Sequence, residues 1–276
     1  MKDFWTARKI IIITSVAWIA LFFFTGGYYR NAYRMGDKLY RIVFLNKEPR
    51  KELRITDKTL SMLARPFATA LNSMYDVKPQ MGTDGKIHKL DGITKISPDQ
   101  GLWMYELCRK IKPQRTLEIG FAYGFSTMFF LAAIQANGMG MHVAMDPFEK
   151  TEEYYGIGLQ KVKELGMQRF FRFMEEKDIT GIPALIREGL QFDVIFIDGN
   201  HRFDDVYLDF TLCDYVCAKN GFIILDDSWL PSISRVISFI EKNRSDYRRY
   251  PSPIENIRVF QKVGDDHRNW DHFVDF

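Results

Sequence analysis

Thr116-Leu117-Glu118-Ile119-Gly120-Phe121-Ala122-Tyr123-Gly124-Phe125-Ser126-Thr127 reads as an apolar strand that runs straight into a glycine turn and out into a helix. Gly120 and Gly124 allow the backbone to turn sharply and come close to a ligand, while Ser126 is a natural helix N-cap. Such a turn suits a nucleotide-like ligand. A dinucleotide fingerprint would need glycine at position 122, where this chain has Ala122, so a nicotinamide enzyme is disfavoured.

Outward from this turn, short apolar runs alternate with helical periodicity from Ser97 onward, the pattern of a mostly parallel sheet with helices on its faces. The buried strands are predicted at 115–120, 141–146, 169–174, 192–198 and 221–227, and two further strand-like runs, 247–250 and 257–263, suggest a terminal hairpin. Helices are predicted at 99–111, at 204–218 with Val206, Phe210, Cys213 and Cys217 on one stripe, and around Ile233, Val236, Ile237 and Ile240. The second strand closes on Asp146, placed to accept hydrogen bonds from both ribose hydroxyls of an adenosine-containing ligand. Its plainer reading is an Asp-Pro turn.

A second constellation lies downstream. The run 192–201 ends a buried strand in Asp198-Gly199-Asn200-His201, with Asp204 and Asp205 opening the next helix, and the following strand closes on Asp226 and Asp227. Open α/β sheets place ligands at such strand ends. If the two strands are neighbours, about 4.8 Å apart, three carboxylates meet there and would repel strongly without a cation. Asp227 could instead cap a helix, and His201 could be a structural hydrogen-bonder.

Glu118-Ile119-Gly120-Phe121-Ala122-Tyr123-Gly124, Ile197-Asp198-Gly199-Asn200-His201 and Gly221-Phe222-Ile223-Ile224-Leu225-Asp226-Asp227 together resemble the class I S-adenosylmethionine-dependent methyltransferases of the small-molecule and sugar O-methyltransferase type. The resemblance runs from about Ser97 to Val263. It implies a Rossmann-like α/β fold with a seven-stranded sheet in the order 3-2-1-4-5-7-6, strand 7 antiparallel. It also implies that Glu118, Gly120, Gly124, Ser126, Asp146 and Asp198 surround S-adenosylmethionine, with Glu118 near the methionine part. Several relatives of this kind hold a divalent metal on acids at the same strand ends, which would give Asp198, Asp226 and Asp227 to Mg²⁺ or another hard cation. Such an ion would lower the pKa of an acceptor hydroxyl, with His201 or Asp198 taking its proton. The lysine and paired-acid signature of the catechol enzymes proper is not found, so the substrate stays open: a small molecule, a sugar or a lipid-linked acceptor. Phe121 and Tyr123, bulky residues inside the turn, motivate the alternative of a non-catalytic module that keeps the fold.

The first fifth of the chain has a different character. Residues 10–29 carry no charge, long enough as a helix to cross about 30 Å of hydrocarbon, with Phe4 and Trp5 before and Tyr28, Tyr29 and Tyr33 after as interfacial belts. A single-pass anchor is predicted, a cleaved signal peptide being the competing reading. Residues 1–58 hold 12 Lys and Arg against 5 Asp and Glu, an excess of seven in a chain whose net charge is +3, so the rest is mildly acidic. That asymmetry fits a tether near anionic lipid or a solvated linker, and nothing in it resembles a nucleic-acid footprint. Cationic residues flank the span on both sides. A cytosolic cofactor and the three unpatterned cysteines, Cys108, Cys213 and Cys217, favour a cytoplasmic catalytic domain. The domain plan is therefore a tip and anchor at 1–29, a charged stalk and cap at 30–96 with a helix near 57–71, the catalytic domain at 97–264 and a tail at 265–276. Oligomeric state is not encoded in any of these features.

Overall fold

The computed structural model describes residues 61–276. The predicted anchor at 10–29 lies outside the described residues; among the described residues, no helix is long and apolar enough to cross a membrane. In chain order the elements are α1 (Arg65–Tyr75), a short hairpin β1 (Gln80–Met81) and β2 (Ile87–His88), α2 (Pro98–Ile111), β3 (Arg115–Ile119), α3 (Phe125–Asn137), β4 (Met141–Met145), α4 (Ile157–Glu164), β5 (Phe171–Met174), α5 (Asp178–Arg187), β6 (Phe192–Ile197), α6 (Phe203–Val216), β7 (Cys217–Leu225), α7 (Pro231–Asn243), β8 (Tyr247–Tyr250) and β9 (Arg258–Lys262).

Seven strands form one sheet in the order β5-β4-β3-β6-β7-β9-β8. Six run in one direction, and β9 enters antiparallel between β7 and β8. Numbered within the sheet, this is the expected 3-2-1-4-5-7-6, and the predicted terminal hairpin is β8 and β9.

The strands are apolar at almost every position because both faces are covered. Val194, Phe196, Phe222 and Ile224 face one core beneath α1, α2 and α3, whereas Leu117, Ile119, Val143, Ile195 and Ile223 face the other beneath α5, α6 and α7. Central α3 has no polar stripe, since every residue from Phe125 to Ile134 is buried. Gly101 on α2 makes this possible: a Cβ there would lie 2.2 Å from the Phe129 ring, so the two helices pack at backbone distance. Ser97 caps α2 by accepting the Gln100 N–H at 3.2 Å, with Pro98 in the first turn.

Three expectations need correction. The stretch 61–96 is not a cap outside the domain: α1 starts where Pro66 can begin a helix, and Phe67, Leu71 and Met74, spaced i, i+4, i+7, are fully buried in the same core as α3. Ser126 is not an N-cap; α3 is entered from Gly124 at φ 77°, and the serine sits one residue inside the helix. Cys217 does not continue the α6 stripe but opens β7, because the chain turns directly from helix to strand there. All three cysteines are free and buried.

Candidate functional site

The parallel register brings the ends of four strands into one row. Beyond each strand, the Asp146 N–H donates to the Met174 carbonyl (3.1 Å), Gly120 to Met145 (3.0 Å), Asp198 to Ile119 (2.9 Å) and Asp226 to Ile197 (3.1 Å). Across the carboxyl edge the order is therefore Asp146, Gly120, Asp198, Asp226, with neighbours spaced at the inter-strand distance of about 4.8 Å. Gly120 has to be glycine. Its φ is +90°, and a Cβ would meet the Asp198 carbonyl oxygen at 2.1 Å.

On the turn side, Asp146 Oδ2 accepts the N–H groups of Phe121 (3.1 Å) and Ala122 (2.9 Å), and its Oδ1 accepts that of Phe148 (2.8 Å). The carboxylate thus already braces the turn. Glu118 is fully buried, accepting from the hydroxyls of Ser126 and Thr127 and lying 3.1 Å from His142 Nε2. Phe121 and Tyr123 are buried as well: Phe121 packs on Phe171 and Phe173, and Tyr123 donates its hydroxyl to the Glu153 carbonyl and meets Tyr154 edge-on. Neither bulky side chain projects into solvent above the turn. Gly124, with φ 77°, lets the chain pass Gly158, whose Cα would stand 3.2 Å from an added Cβ.

On the other side His201 Nε2 lies 3.5 Å from Asp198 Oδ1 and 3.5 Å from Asp227 Oδ2, with its side chain 35% exposed. The loop that carries it is tied to α7 by the Ser232 hydroxyl, which donates to the His201 carbonyl at 2.6 Å. Burial pushes the Asp198 carboxyl up to about 6; His201 offsets part of this, while the charges of Asp227 and Glu118 add to it. Burial and the charges of Asp198 and Asp227 likewise hold Asp226 well above the ordinary carboxylate range. For His201 burial acts downward, but the facing Asp198 and the charge of Asp227 outweigh it, and the ring is raised. A histidine flanked by acids in this way is able to take and hold a proton.

The three acids of the expected metal set share the region without forming a ligand cage. Asp226 accepts from Asn256 Nδ2 (2.6 Å), and Asp227 accepts from Trp229 Nε1 (2.9 Å), so the carboxylates are turned to different partners. Among the described residues, no group of three or more His, Cys, Asp or Glu side chains converges to hold a metal ion. Asp227 does not cap α7 either, because the N-cap is Leu230. Sequence reasoning missed Asn256, Gln100 and Trp229, which surround Asp226 and Asp227, and His142, which faces Glu118. Asn256 bridges Asp226 to Gln100 Oε1 (3.3 Å) across 156 residues, and no local pattern marks such a partner. His142, alone in the apolar run 141–145, was the one legible signal.

Comparison with known proteins agrees with this fold. A family described as a methyltransferase domain matches residues 117–228. The chain is 27% identical over 134 residues to a catechol O-methyltransferase of Niastella koreensis, covering 48% of this chain and 57% of that protein. It is 30% identical over 140 residues to caffeoyl-CoA O-methyltransferase 1 of Eucalyptus globulus, covering 50% and 54%. The matches thus span little more than half the length of these relatives. Among solved structures, the fold is shared with a SAH-bound methyltransferase of Podospora anserina (TM-score 0.57, 16% identity, 79% of this chain and 100% of that one). It is also shared with an O-methyltransferase of Bacillus cereus in complex with SAH (TM-score 0.53, 15% identity, 83% and 97%).

Proposed function

We propose that this chain, which over residues 117–228 belongs to the class I S-adenosylmethionine-dependent methyltransferases, methylates a hydroxyl oxygen of a small molecule. The observation that carries the reading is the row Asp146, Gly120, Asp198, Asp226 along one sheet edge, with His201 beside it. S-adenosylmethionine supplies a methyl group on a sulfonium, open to in-line attack by an oxygen. Gly120 and Gly124 admit the cofactor to the backbone, Asp146 accepts from its ribose with the lone pairs left after bracing the turn, and Asp198 borders it at the neighbouring strand end. His201, held between Asp198 and Asp227, takes the proton from the acceptor hydroxyl, and the two carboxylates stabilise the imidazolium that results. Calorimetry with S-adenosylhomocysteine tests the first half of this reading, and the absence of any binding at millimolar ligand would sink it. For the second half, His201→Ala should cut turnover of an identified acceptor by on the order of a hundredfold, the usual contribution of a general base, with cofactor affinity retained.

A hard divalent cation such as Mg²⁺ on Asp198, Asp226 and Asp227 is the second reading. Its support is an all-oxygen donor set in which burial first, and then the charges of neighbouring carboxylates, raises both Asp198 and Asp226. As arranged, Asp226 would first have to leave Asn256 and Asp227 to leave Trp229. Activity that survives exhaustive chelation removes the cation; activity lost to a chelator and restored by Mg²⁺ establishes it. The further elements of the proposal are an anchor at 10–29, a cytoplasm-facing domain and an acceptor that is free or lipid-linked. A non-catalytic module is the alternative, supported by the burial of Glu118 and Asp146 among protein partners, and the calorimetry decides against one of the two.

A further inference from the structure

Phe276, we infer, is a positioning residue for His201: it closes a circuit of aromatic side chains that fixes the first turn of α6, and with it the loop on which His201 stands. The inference rests on the proposed general-base reading for its functional meaning alone. His201 needs such a hold. Its Nε2 lies 3.5 Å from Asp198 and 3.5 Å from Asp227, and this buried atom has no hydrogen-bond partner among the described residues. The imidazole is therefore placed by the backbone that carries it and not by bonds of its own.

Two residues beyond His201, α6 begins at Phe203 without a capping side chain, since Arg202 at the N-cap makes no such bond. Packing holds this first turn instead. Phe203 stacks on Tyr207 one turn later (5.8 Å between centroids, 18° between planes), and Tyr207 meets Phe239 of α7 edge-on (4.9 Å, 72°). Phe239 in turn meets Phe276 edge-on (5.2 Å, 73°), and Phe276 returns to Phe203 (6.5 Å, 17°). The four rings form a closed circuit. Opened at Phe276, it leaves Phe203 with Tyr207, a residue of its own helix, as its one ring neighbour among the described residues.

Both ends of the arrangement are anchored on α7. In its first turn the Ser232 hydroxyl donates to the His201 carbonyl at 2.6 Å. In its last turn the buried Asn243 side chain grips the tail, donating to the Val274 carbonyl (2.9 Å) and accepting the Val274 N–H (2.8 Å). Lys242 adds a bond to the Asp275 carbonyl at 2.8 Å. The helix that holds the His201 backbone thus also holds the segment that delivers Phe276, so one rigid element sets the ring against the loop.

The test uses the full chain and two readouts that need no acceptor: the ring-proton NMR signal of His201, and amide hydrogen exchange at Val206, whose N–H makes the first bond of α6 with the Arg202 carbonyl (3.0 Å). Phe276→Ala removes two aromatic contacts, which should speed exchange at Val206 on the order of tenfold and should broaden or split the His201 signal. Ile195, within β6, should keep its wild-type exchange, and S-adenosylhomocysteine should bind as before in calorimetry. Phe276→Tyr keeps the ring and should restore both readouts, while Trp270→Ala, at a tail residue 98% exposed, should disturb neither. The inference is overturned if Phe276→Ala leaves Val206 and His201 as in the wild type, or if Ile195 accelerates by the same factor, the mark of a general loosening. Loss of S-adenosylhomocysteine affinity in Phe276→Ala overturns it equally, because the ring would then act on the cofactor side. Should Phe276→Ala not fold, Phe276→Leu, which keeps apolar bulk without the ring faces, carries the same readouts. Failure of the wild-type chain to bind S-adenosylhomocysteine sinks the methyltransferase reading, and Val206 and His201 then decide the brace by themselves.

Discussion

Glu149 and Asp209 are fully buried carboxyls outside the row of acids at the sheet edge. Burial pushes Glu149 up to about 9; the Leu159 and Gly158 N–H groups offset part of this, and the charges of Asp146 and Glu175 add to it. Asp209 also reaches about 9, through burial and then the adjoining Asp178 and Asp205. Each folded-state value lies above that of the unfolded chain, so between about pH 4 and pH 9 the native state holds protons that the unfolded state has released. Stability contributed by these residues is therefore greatest below pH 4 and falls as pH rises. Glu149→Gln and Asp209→Asn should each raise the melting temperature at pH 8, with an advantage that shrinks steadily toward pH 4. A constant gain across that range in thermal melts would mean that the carboxyls are not protonated in the native state. Glu149→Gln should leave the ligand side of the row intact, because its side chain caps α4 through Leu159.

At the scale of an element, the strand-turn-helix unit of β3 and α3 depends on an approach that sequence alone does not reveal. Gly120 is required both by its φ of +90° and by the Asp198 carbonyl, which occupies the space where a Cβ would stand. Gly120→Ala should cost about 1–3 kcal/mol from the backbone conformation alone, and the displaced Asp198 should also cost S-adenosylhomocysteine affinity. Urea unfolding and calorimetry on the same preparation check this together; a variant of unchanged stability would show that the turn has another low-energy shape. The Ser126 expectation failed at this scale. Serine shortly before an apolar run is a good cap signal, but Gly124 reaches the left-handed conformation that starts α3, leaving the Ser126 hydroxyl free to reach Glu118.

Across the whole molecule, α1 joins the sheet core through Phe67, Leu71 and Met74, so the compact body reaches upstream of Ser97 to at least Leu63. On the proposal that 10–29 is an anchor, removing residues 1–29 should release a body that stays monodisperse and binds S-adenosylhomocysteine as the full chain does. Membrane fractionation and size-exclusion chromatography test the two halves of that statement. Aggregation of the truncated protein would assign the segment to the core. Truncation at Ser97, by contrast, should fail to fold, because it uncovers the α3 face against which the three buried side chains of α1 pack.

What the sequence determined by itself was the periodic part: five apolar runs and two further strand-like ones, the helices between them, the glycine turn, and an acid closing each of three strands. These are legible because a strand covered on both faces reads as a continuous apolar run, because helix burial has a period of 3.6, and because a turn that approaches a ligand demands glycine. The sheet order followed from the resemblance carried by those motifs. Only the tertiary structure decided what the acids do. Asp146 braces the turn, Glu118 faces His142 and two hydroxyls, and Asp226 and Asp227 turn to Asn256 and Trp229 in place of a shared centre. A buried carboxylate must find donors wherever the packed chain supplies them, and the distant ones came from positions such as Gln100 and Asn256 that no local spacing singles out.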